Sequence, residues 1–171
     1  MNSYTLKVSM LPRATLLRRI PFYGKNIHKH VVSLLLKKRE FNKEIDFKKL
    51  NEEFGIFITK EFVEYKKYNQ NYLLNIRGAI VWCKITSQLF VGNFHLGDKL
   101  KIEELLEELR HICKKAGVSS IHFQCSPGSR VDLILNEILI PDKGFSVTFK
   151  NISSDFKAEK LKFNFCDSDI F

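Results

Sequence analysis

The apolar positions of this chain change period several times, and each period predicts an element. In KIEELLEELRHICKKAG (101–117), Ile102, Leu105, Leu106, Leu109, Ile112 and Cys113 recur at spacings of three and four, which lays one apolar stripe along a helix. Acids fill its start, bases fill its end and Gly117 supplies the stop, as the helix dipole and a left-handed C-terminal position favour. Ahead of it, YLLNI, AIVWCKI and LFVGNFHL are rich in β-branched and aromatic residues and are broken by Arg77-Gly78 and Thr86-Ser87-Gln88. That pattern predicts an antiparallel meander of three strands over residues 71–96.

After the long helix, VSSIHFQC predicts a buried strand, SRVDLILNEIL a second helix capped by Ser126 or Ser129, and FSVTFKNI and LKFNFCD two last strands joined by a loop from Asn151 to Lys160. A strand, a long helix and a strand in succession predict a parallel pair joined by a right-handed crossover, so the sheet should be mixed. Before the meander, Asp46 to Tyr68 reads as helical at both ends, DFKKLNEEF and TKEFVEYKKYN, with Asp46 and Thr59 as N-caps and Gly55 between the pieces. Earlier still, a segment from Ser9 to Lys49 divides at Pro12 and at Pro21-Phe22-Tyr23-Gly24. Its ATLLRRI and NIHKHVVSLLLKKREF set apolar residues beside clustered bases, which predicts short amphipathic helices. No internal repeat or low-complexity tract interrupts this order.

Charge changes the picture at one end only. Residues 1–50 hold 12 Lys plus Arg against 3 Asp plus Glu, which is the whole of the formal +9 of the 171-residue chain. The expected organisation is a basic helical arm over 1–50 and one α/β (α+β) domain over 51–171, with a mixed, mostly antiparallel sheet and helices on both faces. Such an arm suits a polyanion or an anionic membrane surface, or else is a solvated helical lead. No apolar run is long enough to span a membrane, and the first 20 residues lack the continuous hydrophobic centre of a secretion signal. Cys83, Cys113, Cys125 and Cys166 form no C-x-x-C pair, so four reduced, buried thiols in a cytoplasmic protein are expected, and no metal site.

The element order, FVGNF leading into the long helix, LILNEI, and Lys143-Gly144-Phe145 before the last strands resemble the GNAT acyltransferase fold. The closest likeness is to the divergent FemAB-type half domains of bacteria, to whose acidic Asp-x-Asp-x-Phe tail the ending FNFCDSDIF is similar. The resemblance spans about residues 60 to 171 and implies transfer of an acyl or aminoacyl group to an amine, in cell-wall or surface-polymer synthesis, from an acyl-CoA or an aminoacyl-tRNA. The alternative is a non-catalytic half domain that acts as a binding module, completed by a second copy or a partner half domain. In the family, a glycine-rich joint between the fourth strand and the long helix holds the pyrophosphate of the coenzyme. Here that joint is FHLGDKLKIEE, with one glycine and with Asp98, Glu103 and Glu104 in it. This predicts that the joint cannot wrap a diphosphate. The family tyrosine after the fifth strand has no counterpart in LILNEI.

The residues singled out follow from those positions. His95 and His122 flank the gap expected between the fourth and fifth strands, where imidazole would serve as general base or as an ordinary structural side chain. QCSPGSR offers Gln124, Cys125, Ser126 and Arg130 at the start of a helix, a substitute anion or substrate site or simply a helix cap. Asp167 and Asp169 share one face of an extended C-terminus, to orient an acceptor amine or to stand in solvent.

Overall fold

Two tight turns fold the apolar run after residue 70 back on itself. At the first, Arg77 and Gly78 take positive φ (52° and 95°) and the Asn75 carboxamide oxygen accepts the Gly78 N–H at 2.9 Å. This is the turn geometry whose twist matches that of paired strands. At the second, Thr86 N–H donates to the Gln88 carbonyl at 2.9 Å. The computed structural model describes residues 1–9, 30, 32–36, 46–51, 57–66, 70–144, 146 and 160–165. Among them the chain runs β1 (Asn2–Lys7), a 3-10 turn η1 (Phe47–Leu50), α1 (Lys60–Lys66), β2 (Asn71–Ile76), β3 (Ala79–Ile85), β4 (Leu89–His95), α2 (Ile102–Ala116), β5 (Ser120–Cys125), α3 (Arg130–Asn136) and β6 (Asp142–Lys143). Residues 30 and 32–36 are also helical.

The six strands form one sheet in the order β2-β3-β4-β5-β1-β6. Every neighbouring pair is antiparallel except β4–β5, which is parallel across the α2 crossover. One face is covered by α2, by Val131 and Leu135 of α3, and by Val32 and Leu36, all in one core with Val81, Val91, Phe94, Ile121 and Phe123. The other is covered by Leu50 of η1 and Val63 of α1, with Ile58 and Phe165, over Leu73, Ile80 and Trp82. The α2 stripe lies inward throughout, from Ile102 to Ala116, and each such aliphatic side chain contributes about 1.5 to 3 kcal/mol by leaving water.

The start of the chain corrects the expected boundary at residue 50. Asn2–Lys7 is not part of a helical arm. It is an interior strand, paired with β5 from Asn2–Cys125 to Lys7–Ser120 and with β6 on its other edge. The signal was present as a period of two: Tyr4, Leu6 and Val8 are buried, whereas Thr5, Lys7 and Ser9 are exposed. The helices expected in ATLLRRI and over most of NIHKHVVSLLLKKREF, together with Gly55, lie outside the described residues.

Other elements are shorter than their sequence pattern. Asp46 caps Lys48 N–H at 3.1 Å, but the turn ends at Asn51, whose side chain accepts the Ile58 N–H at 2.6 Å and so fastens the two covering segments together. Thr59 caps Phe62 N–H at 3.2 Å. For α3 the cap is Ser129, accepting Asp132 N–H at 3.2 Å. Among its described residues LKFNFCD contributes a bridge from Asn164 to Cys125, and β6 falls ahead of FSVTFKNI, which apart from Ser146 lies outside the described residues, as does the loop that follows up to residue 159. Among the described residues no helix is long and apolar enough to cross a membrane.

Candidate functional site

A one-residue shift in β4 decides what the open end of the sheet presents. Trp82 pairs with Asn93, but the next residue, Cys83, pairs with Val91, so Gly92 is extra. Such a bulge exchanges the faces of every side chain beyond it. It puts Phe94 into the α2 core and Asn93 on the other face, where its amide donates to the Leu50 carbonyl. His95, two residues on, shares the face of Asn93 opposite Ile80.

The parallel pairing of β4 with β5 covers only Leu89–Ile121, Phe90–His122 and Val91–Phe123. Beyond Val91 the strands part, and Arg130 from the first position of α3 reaches into the gap. Its guanidinium donates to the Phe94 carbonyl at 2.6 Å and to Asn93 Oδ1 at 3.0 Å. Arg130 thereby ties α3 to the far end of β4.

At that end opens a cavity of about 390 Å³ lined by Asp46 and Lys49 of the covering turn, Arg77, Gly78 and Ile80 of the first hairpin, and His95 to Lys99 of the β4–α2 joint. Burial, then the charges of Arg130 and Lys49, press the His95 imidazolium to lose its proton, against a smaller opposing pull from Asp98 and Asp46. The ring is therefore neutral at pH 7 and able to accept a proton. The joint does not fit a coenzyme diphosphate. Gly97, at φ +71°, turns its bare side to the hairpin, where a Cβ would stand 3.2 Å from the Gly78 carbonyl oxygen. At the start of α2, the Glu104 carboxylate already accepts the Lys101 N–H at 3.1 Å. The glycine serves close backbone packing, and a carboxylate holds a donor that a phosphate would need.

The structure thus brings His95 and Arg130 together and places the other singled-out residues that it describes elsewhere. His122 lies beside Phe90, whose ring stacks on it at 5.4 Å, five residues and so roughly 16 Å along the strand from His95. Its ring nitrogens meet Thr5 Oγ1 at 3.2 Å and Ser120 Oγ at 2.8 Å, and burial favours its neutral form. Gln124 and Cys125 are buried within β5, and Gln124 Oε1 meets no hydrogen-bond donor. Ser126 pins the chain near residue 163: its Oγ accepts the Phe163 N–H at 2.9 Å, and its own N–H donates to the Phe163 carbonyl at 2.7 Å. Asp167, Asp169 and Cys166 lie outside the described residues.

Sequence reasoning missed Asp132. This carboxylate, 2% exposed, accepts from Tyr4 Oη at 2.6 Å, Asn2 Nδ2 at 2.8 Å and Gly128 N–H at 2.7 Å, with Cys125 Sγ at 3.8 Å. It knots β1 to β5 and α3, and the only local hint was its place three residues after the Ser129 cap. Burial works to raise its pKa, but the donors outweigh burial and hold it below the ordinary 3.8. Burial and then the Asp132 hydrogen bond push the Tyr4 phenol above its ordinary 10.0. A depressed carboxylate adds stability that is present above pH 3.8 and lost as pH falls through its folded value. A raised phenol adds stability that is present below pH 10.0 and lost as pH rises through its folded value. Urea midpoints are therefore expected to stay level between these limits as far as this knot is concerned. In Tyr4→Phe the decline above pH 10 should flatten.

No family model, no curated protein and no solved structure matches the chain.

Proposed function

We propose that this chain is a divergent GNAT-like acyltransferase domain that transfers an acyl or aminoacyl group to an amine. The observation that carries this is the parallel β4–β5 pair, which parts after three residue pairs and opens beside a cavity lined by a neutral histidine, His95. In this scheme His95 takes the proton of the acceptor ammonium, the free amine attacks the activated carbonyl, and as the adduct collapses the C–S or C–O bond to the donor breaks and His95 returns its proton to the departing thiolate or tRNA 3′ oxygen. Cationic side chains around it stabilise the oxyanion that forms. Because the joint does not suit a diphosphate, the donor is gripped elsewhere, and the basic residues of 1–50 suit the polyanion of an aminoacyl-tRNA or an anionic membrane surface.

A donor screen by thermal shift tests this with acetyl-CoA, longer acyl-CoAs and aminoacyl-tRNA. A true donor in large excess should stabilise the protein by about 2 to 4 kcal/mol. Transfer should rise with pH through a value below 6.5, the ordinary histidine pKa, and then level off, and His95→Ala should lower it about 100-fold or more. Deleting residues 1–40 cannot test the basic segment, since it removes β1 from the middle of the sheet. Arg13, Arg18 and Arg19 changed together to Gln should instead weaken tRNA binding and flatten its salt dependence.

The second reading, a non-catalytic half domain that binds a partner or a second copy, is favoured by Arg130, which occupies the Phe94 carbonyl in the gap. Stabilisation without turnover, or none by any donor, would decide for it.

A further inference from the structure

The charges around the joint cavity are of both signs, and this says what kind of molecule it receives. Arg77, Lys49 and Lys99 line it together with Asp46 and Asp98, with His95 among them and with Ile80 and Leu96 as apolar wall. A ligand bearing only negative charge would meet two carboxylates, and one bearing only positive charge would meet three cations. Lys49, Asp98 and Asp46 all act electrostatically on His95, so both signs are gathered within the span of one small molecule. The volume of about 390 Å³ is that of a small-ligand cleft.

We infer that the cavity at the β4–α2 joint binds a small zwitterion, with an ammonium directed to Asp46 and Asp98 and a carboxylate or phosphate directed to Arg77 and the two lysines. Arg77 forms an exposed ion pair with Glu104 at 3.6 Å, which a ligand anion can displace or share, because its planar guanidinium can donate two parallel hydrogen bonds to such a group. It stands on a turn fixed by Asn75, so its backbone is already ordered before a ligand is held. Asp46 and Asp98, the partners of the ammonium end, both act electrostatically on His95, the base of the proposed transfer. The inference rests on that function only in making the zwitterion the acceptor.

Isothermal titration of the full chain tests it with L-alanine and phosphoethanolamine, against propionate and ethylamine as singly charged controls. At least one zwitterion should bind about tenfold or more tighter than both controls, and the stronger of the two identifies the anionic group. Arg77→Asn, which tolerates the positive φ of that turn, and Asp98→Asn, on an exposed loop position, should each weaken binding about tenfold. Asp46→Asn keeps the cap acceptor and should weaken it too. Equal binding of propionate or ethylamine, no binding of either zwitterion, or undiminished binding by both Arg77→Asn and Asp98→Asn would overturn the inference. Zwitterion binding without acyl transfer would sink the transferase function and leave this site standing. Transfer to ethylamine as readily as to the zwitterions would do the reverse.

Discussion

Asp132→Ala is expected to lower the unfolding free energy by about 3 kcal/mol, and the melting temperature by about 6 to 12 °C for a domain of this size. The truncation leaves the fully buried Tyr4 hydroxyl, and with it the part-buried hydrogen bonds of the Asn2 amide and the Gly128 N–H, without their shared acceptor. An unsatisfied buried donor forfeits its hydration with nothing in return. The effect should be cooperative, because the same carboxylate holds β1 in the sheet and the start of α3 on it. A double-mutant cycle with Tyr4→Phe should show a coupling of about 1 kcal/mol. A loss under about 1 kcal/mol in urea denaturation would mean that water reaches these groups and that the knot is not what fastens β1.

Insertion of one alanine between Trp82 and Cys83, opposite Gly92, should do more and remove the cooperative unfolding transition. With Gly92 paired and the bulge gone, Phe94 would leave the α2 core for the opposite face, and Asn93 and His95 would take the inward positions. The cost sums a lost aromatic burial, a cavity, and a carboxamide and an imidazole buried without partners, about 5 kcal/mol or more. That is comparable to the whole stability of a domain. Trp82, the chain's one tryptophan and fully buried against Phe62 at 5.6 Å, reports the outcome. Its emission should move to the wavelength of a solvated indole. A sharp transition with native emission would show that the strand end can slip to restore its register, and would remove the bulge as the device that aims His95.

The parts legible from sequence were those specified by their own neighbours. The α2 stripe with its Gly117 stop, at φ +67°, the two meander turns and the parallel crossover pair all follow from local periodicity and turn chemistry. The strand β1 was hidden because its alternation covers only Ser3 to Ser9 and sits in a segment whose basic clusters dominate the composition. Charge is a property of the exposed positions and carries no information about which inward residues pair. QCSPGSR looked like one site, and the fold divides it: Cys125 enters the core, Ser126 binds backbone near residue 163, and only Arg130 reaches the gap.

The sequence alone determined which stretches become strands and helices over most of residues 71–136, since the spacing of apolar side chains and the turn residues act over a few positions at a time. It also determined that the β4–α2 joint lacks the small residues for a diphosphate cradle. Tertiary structure decided where the first strand inserts, that His95 lines the cavity at the joint while His122 stacks on Phe90, and that charges from residues 46, 49, 77, 98 and 99 meet there. Those outcomes depend on contacts between residues far apart in the chain and on a single register shift at Gly92, and no local pattern encodes either.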